Sequence, residues 1–522
     1  MKIENKKMLL LDCTFRDGGY YTNWDFSEDL VKNYINKTNL LPLDYLEIGY
    51  RSVPIEGYFG EFFYCPDYII DLFHKNSSKK LALIINEKDV RVGDLRNLLD
   101  SCSQKVDLIR IAVDPSNFDR ALVLAKTIKK MGFETAFNVM YMSNWMSDES
   151  FIQNLSKMDG FVDFFYMVDS FGSVYPSDVK EAISKVRAVT SVELGFHGHN
   201  NMELALINTL TAIDYGVSLC DSTITGMGRG AGNLSTELLL TSLESKGAIK
   251  LDYNALAGIV EQFMRIKRKY EWGTNLAYMV SGGYSLPQKE VMKWFTQRYY
   301  SFESIITALS SKTRCPTQKT EFSSMSSVIN DFEGRKAIII GGGDSVLKNI
   351  DGLRKFLEIN SDYVIIHASS KNCFLFKGLS NISFYCLIGN EGYRLEEIFG
   401  DLTLFKDYCV IPPSPRQMGT YVPYELTESV IELKGMFVAK EYGDAHTSIA
   451  LQACIELNVD RVMLAGYDGY LGVEITEKEQ QLTKENLHIF NIFQEQKLEL
   501  ESLTFTEYDN IIQSSVYKYL NI

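Results

Sequence analysis

The order of residues predicts an α/β chain in two parts: an eight-stranded (β/α)8 barrel, then a helical segment and a second, Rossmann-like, doubly wound α/β domain. The first observation is a set of short apolar, β-branched runs. Eight of them precede residue 230, beginning near Met8, Asp44, Lys80, Asp107, Glu134, Asp163, Ser191 and Leu219. The second is their spacing, which stays close to the ~30 residues of one β/α unit. Helical periodicity fills the gaps, as in Asn117 to Met131 and Pro176 to Val189. The third is a fresh strand and glycine turn, Lys336-Ala337-Ile338-Ile339-Ile340-Gly341-Gly342-Gly343-Asp344-Ser345, which opens a new α/β unit.

Composition is compatible with both parts. The 522 residues hold a barrel of ~250 residues and at least one further domain of ~150. An apolar share of 46% suits large cores. The net charge of −14 argues against a polyanion as main partner, so nucleic acid is not expected. Nine scattered cysteines, odd in number and without a CxxC pair, read as reduced thiols of a cytoplasmic protein. The apolar run Met8 to Leu11 meets Asp12 too early for a signal peptide. No apolar stretch is long enough to span a bilayer, so no membrane partner is expected.

The polar residues fall at the predicted strand ends. His197-Gly198-His199 closes the seventh run, and residues two apart on a strand face the same side. Arg16 and Asp17 follow the first strand, Glu47 lies in the second, Asn138 in the fifth, and Asp169 and Ser170 close the sixth. After the eighth comes Thr225-Gly226-Met227-Gly228-Arg229-Gly230-Ala231-Gly232-Asn233. The carboxyl-terminal rim of a barrel is where its chemistry sits. Two histidines with a carboxylate make an open site for a divalent metal, and Arg16 beside it suits an oxyanion. Each residue also has a plainer reading: Arg16-Asp17 as a local ion pair, Glu47 as a structural partner of a barrel arginine, Ser170 as a helix cap. Four glycines within seven residues before Asn233 suggest close backbone approach to a ligand.

Together the runs Asp12-Cys13-Thr14-Phe15-Arg16-Asp17-Gly18, Val168-Asp169-Ser170-Phe171-Gly172, His197-Gly198-His199-Asn200-Asn201 and Gly226-Met227-Gly228-Arg229-Gly230-Ala231-Gly232-Asn233 resemble the metal-dependent aldolase/lyase superfamily. That group includes 3-hydroxy-3-methylglutaryl-CoA lyase, isopropylmalate synthase and, most similar here, 4-hydroxy-2-oxovalerate aldolase. The resemblance covers roughly residues 8 to 300. It implies Asp17, His197, His199 and Asn233 as metal ligands, for Mn²⁺ or Mg²⁺. It implies Arg16 as the stabiliser of an enolate oxygen, Glu47 as its orienting partner, and Ser170, with Asn138 and Arg16, as substrate contacts. Two departures stand out. Tyr20 occupies the place of a family histidine base, and a phenol of pKa ~10 is a poor base at neutral pH. Gly228-Arg229-Gly230 replaces the cysteine-bearing loop of the CoA-thioester lyases.

The expected domain bounds are 1–250 for the barrel, 251–316 for a helical extension (Ala255 to Tyr270, then Lys289 to Leu309), 317–334 for a linker and 335–522 for the second domain. Further strands are expected at Tyr363 to Ile366, Ser383 to Ile388 and Arg461 to Gly466. The turn Gly341-Gly342-Gly343 with Ser345 can cradle a phosphate at a helix start, though it lacks the dinucleotide GxGxxG spacing, and turn packing explains it equally. This segment, with His446 to Gln452 and Gly466 to Gly469, resembles Rossmann-like domains of bacterial sialyltransferases and motility-associated glycosylation proteins. That resemblance implies a nucleotide or sugar phosphate as ligand and a place in surface-polysaccharide biosynthesis.

The expected function is metal-dependent aldol chemistry joining or cleaving a 2-oxo acid and an aldehyde. The alternatives are a Claisen-type acyl-CoA synthase or lyase, and a nucleotide- or glycan-binding protein with a degenerate barrel. The family resemblance also implies association into homo-oligomers.

Overall fold

The computed structural model describes residues 8–289, 291–292, 305–306, 309, 322–325, 332 and 334–520, apart from 390, 404, 414–419, 444, 471–476 and 496–497. The chain divides into two compact units, Met1–Met292 and Lys293–Ile522.

The first unit is a closed parallel barrel of β1 (Leu9–Asp12), β2 (Tyr45–Tyr50), β3 (Lys80–Asn86), β4 (Leu108–Val113), β5 (Glu134–Val139), β6 (Phe164–Asp169), β7 (Glu193–Gly198) and β8 (Leu219–Ser222). Each strand begins within about two residues of its sequence expectation, and β8 returns to pair with β1 in register Leu9↔Leu219 to Asp12↔Ser222. Alternation along the strands sorts the side chains. Leu10, Leu46, Leu83, Ile109, Phe137 and Leu194 join the outer core beneath the helices, while Leu11, Tyr45, Ala82, Leu108, Ala136, Tyr166 and Leu219 fill a separate cluster on the other face. Two residues further along several of these strands, the inward parity reaches Glu47, Arg110, Asn138 and Asp221 instead. The barrel is therefore apolar at its base and charged toward the carboxyl ends. Gly195 admits the Tyr166 ring, which a Cβ there would meet at 2.6 Å.

The second unit is a nine-stranded, all-parallel sheet. Its strands are β9 (Ser323–Ser324), β10 (Lys336–Ile340), β11 (Tyr363–His367), β12 (Ser383–Cys386), β13 (Tyr408–Ile411), β14 (Val430–Glu432), β15 (Arg461–Ala465), β16 (Leu500–Ser502) and β17 (Ile512–Gln513). They run in the order β17-β16-β15-β10-β11-β12-β13-β14-β9. Ala337 and Ile339 face one core, Ile338 and Ile340 the other, so the sheet is covered on both sides. The order reverses between β10 and β15, the switch point of a doubly wound fold.

One difference from the sequence expectation has a physical cause. Ser323 and Ser324, inside the stretch read as a linker, form an exposed edge strand against β14. Backbone pairing at an edge needs no apolar side chain, so composition gave no signal. The helix Tyr253–Tyr270 and the helix Leu276–Gly283 fall in the first compact unit. Most of the expected helix Lys289 to Leu309 lies outside the described residues.

Candidate metal centre

β1 ends at Asp12, and the helix Thr14–Thr22 starts at once, so Arg16 and Asp17 sit in its first turn and are buried. A ring of charged and polar side chains surrounds them. Arg16 donates to Asp17 Oδ1 and, through Nε, to Glu47 Oε2 at 2.8 Å. Arg110 Nη1 approaches the same Glu47 oxygen at 3.1 Å, and its Nη2 donates to Asp221 Oδ2 at 2.5 Å. Asp221 Oδ2 bonds His197 Nδ1 at 2.8 Å, and His197 Nε2 stands 3.4 Å from Asp17 Oδ2, closing the ring. All six side chains are buried. Ions this deep persist only when paired, and here each arginine lies between two carboxylates and each carboxylate meets at least one arginine.

The electrostatics follow. Burial alone would raise the Asp17 carboxyl, but Arg16 and His197 outweigh it and hold it below the usual carboxylate range. Burial also opposes the Asp221 charge, and Arg110 with His197 more than reverses that. His199 is pushed down to about 3, by burial first and by His197 next, so its imidazole stays neutral. Its Nδ1 lies 2.8 Å from the Asp169 carbonyl oxygen, an acceptor, which fixes the proton on Nδ1 and leaves the Nε2 lone pair free. His197 Nδ1 also faces an acceptor, Asp221 Oδ2 at 2.8 Å, which fixes a proton on Nδ1.

Asn233, at the end of the glycine loop, donates Nδ2 to Asp17 Oδ2 at 2.7 Å. Its Oδ1 is buried without a hydrogen-bond partner. An unpartnered buried oxygen beside a carboxylate and imidazole nitrogens fits a divalent cation. The tightest trio of potential ligands among the described residues is Cys13, Asp17 and His197, with ligand atoms within 4.8 Å of one another. His199 is outside this trio, its ring centroid 5.0 Å from that of His197. Cys13 went unremarked in the sequence. Its thiol is pushed well up by burial and by Asp221, and it points at the Ser222 carbonyl oxygen at 3.5 Å. It packs as a thiol beside the centre.

The remaining expected residues are dispersed around this core. Asn138 Oδ1 accepts from Arg110 Nε at 3.0 Å. Ser170 does not cap the next helix, which begins at Pro176 behind Tyr175. Its Oγ instead accepts from the Tyr141 backbone N–H at 2.9 Å and supports a residue at φ +62°. Tyr20 is half-buried, with its hydroxyl 3.4 Å from that of Tyr50 and the Arg229 guanidinium 4.7 Å above its ring. Asp169 accepts from the N–H groups of Ser173 and Val174, and burial pushes its carboxyl up to about 7.

Arg110 and Asp221 were missed in the sequence. The available signal was a charge inside an apolar strand: Leu108-Ile109-Arg110-Ile111-Ala112-Val113 and Leu219-Cys220-Asp221-Ser222 each bury one. Such a group needs a partner. Gly341, Gly342, Gly343 and Ser345 lie in the other unit.

Residues 98–262 match the family model described as HMGL-like. The chain is 52% identical to a crystal structure of the N-terminal domain of a candidate aldolase from Bacteroides vulgatus, covering 58% of this chain and all of that one at a TM-score of 0.55. It is 27% identical over 263 residues to the oxaloacetate decarboxylase of Mycobacterium tuberculosis, spanning 48% of this chain and 75% of the relative. It is 28% identical over 246 residues to the 4-hydroxy-2-oxovalerate aldolase of Carboxydothermus hydrogenoformans, spanning 46% and 72%. With a closed eight-stranded barrel that carries these motifs on its rim, the chain belongs to the HMGL-like family of lyases.

Proposed function

We propose that the barrel joins or cleaves a 4-hydroxy-2-oxo acid, with pyruvate or another 2-oxo acid on one side and an aldehyde on the other. The observation that carries this reading is the Asp17–Asn233–His197 cluster, with an unpartnered Asn233 oxygen, set against the Arg16 guanidinium. Relatives named 4-hydroxy-2-oxovalerate aldolase support it. Asp17, His197, His199 and Asn233 would hold Mn²⁺ or Mg²⁺, which when bound supplies a Lewis acid for the keto oxygen. Arg16 uses Nε on Glu47 and Nη1 on Asp17, leaving Nη2 as the donor edge for an oxygen that gains charge as the carbon–carbon bond breaks or forms. Glu47 keeps that guanidinium oriented. Ser170, through Tyr141, shapes the wall where the substrate carboxylate sits. Tyr20, with its hydroxyl 3.4 Å from that of Tyr50, is the candidate for moving a proton.

The test is solvent-deuterium exchange into the pyruvate methyl group with Mn²⁺ or Mg²⁺, followed by NMR. Metal-dependent exchange, lowered about 10²–10³-fold in Arg16→Met, supports the reading. Strict dependence of turnover on acetyl-CoA would favour the Claisen alternative.

A second reading concerns the carboxyl-terminal unit and rests on a separate cavity of about 820 Å³. It opens at the carboxyl ends of β10, β11, β12 and β15, over Gly342, Lys371, Arg394, His446 and Tyr470. Ligands of open α/β sheets bind at this switch point. We infer a nucleotide or sugar phosphate there, which would tie the chain to surface-polysaccharide biosynthesis. Calorimetric titration of the full chain with CMP and with UDP-sugars tests this, and no binding by either the native chain or its metal-loaded form would end it. No helix among the described residues is long and apolar enough to cross a membrane.

A further inference from the structure

Three arginines crowd the barrel mouth, and they differ in how their charge is met. Arg16 and Arg110 are each held by two carboxylates. Arg229 has no carboxylate partner among the described residues. Its contact is the face of Tyr20, at 4.7 Å, and its charge is favoured chiefly by Tyr20, with Tyr50, Asp17 and Tyr141 contributing less and burial opposing.

The loop holds this cation in place. A Cβ on Gly228 would meet Asn233 Nδ2 at 2.7 Å, so the chain before Arg229 lies tight against the metal-side amide. After it, the Gly230 carbonyl accepts from Tyr21 Oη at 3.2 Å, and the Ala231 N–H donates to Gln288 Oε1 at 3.2 Å. Both flanks are pinned, and the half-buried guanidinium projects over an aromatic floor of Tyr20. A guanidinium kept partly out of water without a counter-ion is unfavourable. Its planar fork matches a carboxylate or a phosphate, and a ring beneath it holds its plane.

We propose that Arg229 binds an anionic group, a carboxylate or a phosphate, on the aldehyde partner, making acidic aldehydes the substrate class of this barrel. The inference rests on the aldolase reading and deepens it. A 2-oxo acid already finds its partners at the Asp17 and His197 donors and Arg16. Arg229 stacks on the Tyr20 ring at 4.7 Å and reaches Asp17 and His199 only through its field, so an anion on its open edge would lie beside that set, where a second reactant enters.

The experiment compares matched aldehydes with pyruvate and Mn²⁺: glycolaldehyde against glyoxylate and glycolaldehyde phosphate, and glyceraldehyde against glyceraldehyde 3-phosphate. The native protein should prefer one charged set by about 10- to 100-fold in kcat/KM, the scale of a charge-assisted hydrogen-bonded contact, and the set preferred separates carboxylate from phosphate. Arg229→Gln should erase that preference, and Arg229→Lys should restore part of it. Pyruvate proton exchange, which needs no aldehyde, should fall by much less than addition to the anionic aldehydes in Arg229→Gln. An equal fall in exchange would assign Arg229 to the 2-oxo acid and overturn the proposal, as would equal use of neutral and charged aldehydes by the native protein. Absence of exchange in the native protein would instead remove the aldolase reading on which it stands.

Discussion

The barrel mouth and the cavity over the second sheet both gather polar side chains at the carboxyl ends of parallel strands, yet they handle charge differently. In the barrel, closure brings β1, β2, β4, β7 and β8 around one axis, so Asp17, Arg16, Glu47, Arg110, Asp221 and His197 meet one another inside the protein. In the open sheet, the side chains of Lys371 and Arg394 are 56% and 47% exposed, so solvent remains their main neighbour. Glu391 is the exception, since it is buried and accepts from Ser370 and Arg394. A closed barrel can build a rigid, preorganised centre without a ligand, whereas an open sheet keeps a roomier site whose cations pair with single carboxylates at its exposed rim.

The sharpest way to break this contrast is to remove one member of the ring. Arg110→Met leaves Glu47 and Asp221 without their shared cation, and the barrel unit should lose about 3–5 kcal/mol. Urea unfolding followed by tryptophan fluorescence reads this directly, because Trp24, Trp145 and Trp272 are all buried in that unit. A loss below about 1 kcal/mol would mean that the ring is not what stabilises the mouth.

In the second unit the corresponding test is pH. Burial would raise the Glu391 carboxyl, but His446 and Ser370 outweigh it and bring it down to about 2, against 4.5 in an unfolded chain. Above pH 4.5 both states are ionised and the stabilisation is complete. As pH falls the unfolded chain binds the proton first, so stability drops through that window until pH 2. The contribution is about 3 kcal/mol, and Glu391→Gln should flatten acid unfolding between those limits. An unchanged acid midpoint would contradict it.

A smaller effect belongs to the histidine support. Asp221→Asn should weaken Mn²⁺ binding by about 10- to 100-fold, measured by titration of the full chain. The smallest concerns the glycine turn. A Cβ on Gly343 would meet Asp468 Oδ1 at 2.5 Å and the Gly466 carbonyl oxygen at 2.6 Å, whereas at Gly342 the nearest atoms are 3.9 and 4.0 Å away. Gly343→Ala should cost about 1–3 kcal/mol. Gly342→Ala should stay within about 0.5 kcal/mol and report only on what enters the cavity. If both variants fold equally well, packing does not explain the turn.

Much of the first unit was legible because a barrel writes its strands as apolar runs at a fixed spacing, and the motifs sit where those runs stop. The ring was only half legible. Asp17, Arg16 and His197 stand at or near strand ends, where a reader looks for chemistry, and Glu47, inside β2, was marked by the family resemblance. Arg110 and Asp221 sit within strands, where apolar neighbours hide them, and their pairing spans 111 positions of sequence. In the second unit, β10, β11, β12 and β15 were visible as four- or five-residue runs. The three-residue strands β14 and β16 are too short for periodicity to mark, and β9 and β17 are exposed two-residue edges.

The glycine loop has one further consequence. Trp272 Nε1 donates to the Thr225 carbonyl at 3.1 Å, Thr274 Oγ1 to that of Asn201 at 2.8 Å, and Gln288 grips both Asn201 and Ala231. A chain cut after Lys250 would retain all eight strands and every candidate ligand. It would nonetheless shed the clasp that keeps Arg229 and Asn233 in position, so the smallest piece able to work extends at least to Gln288.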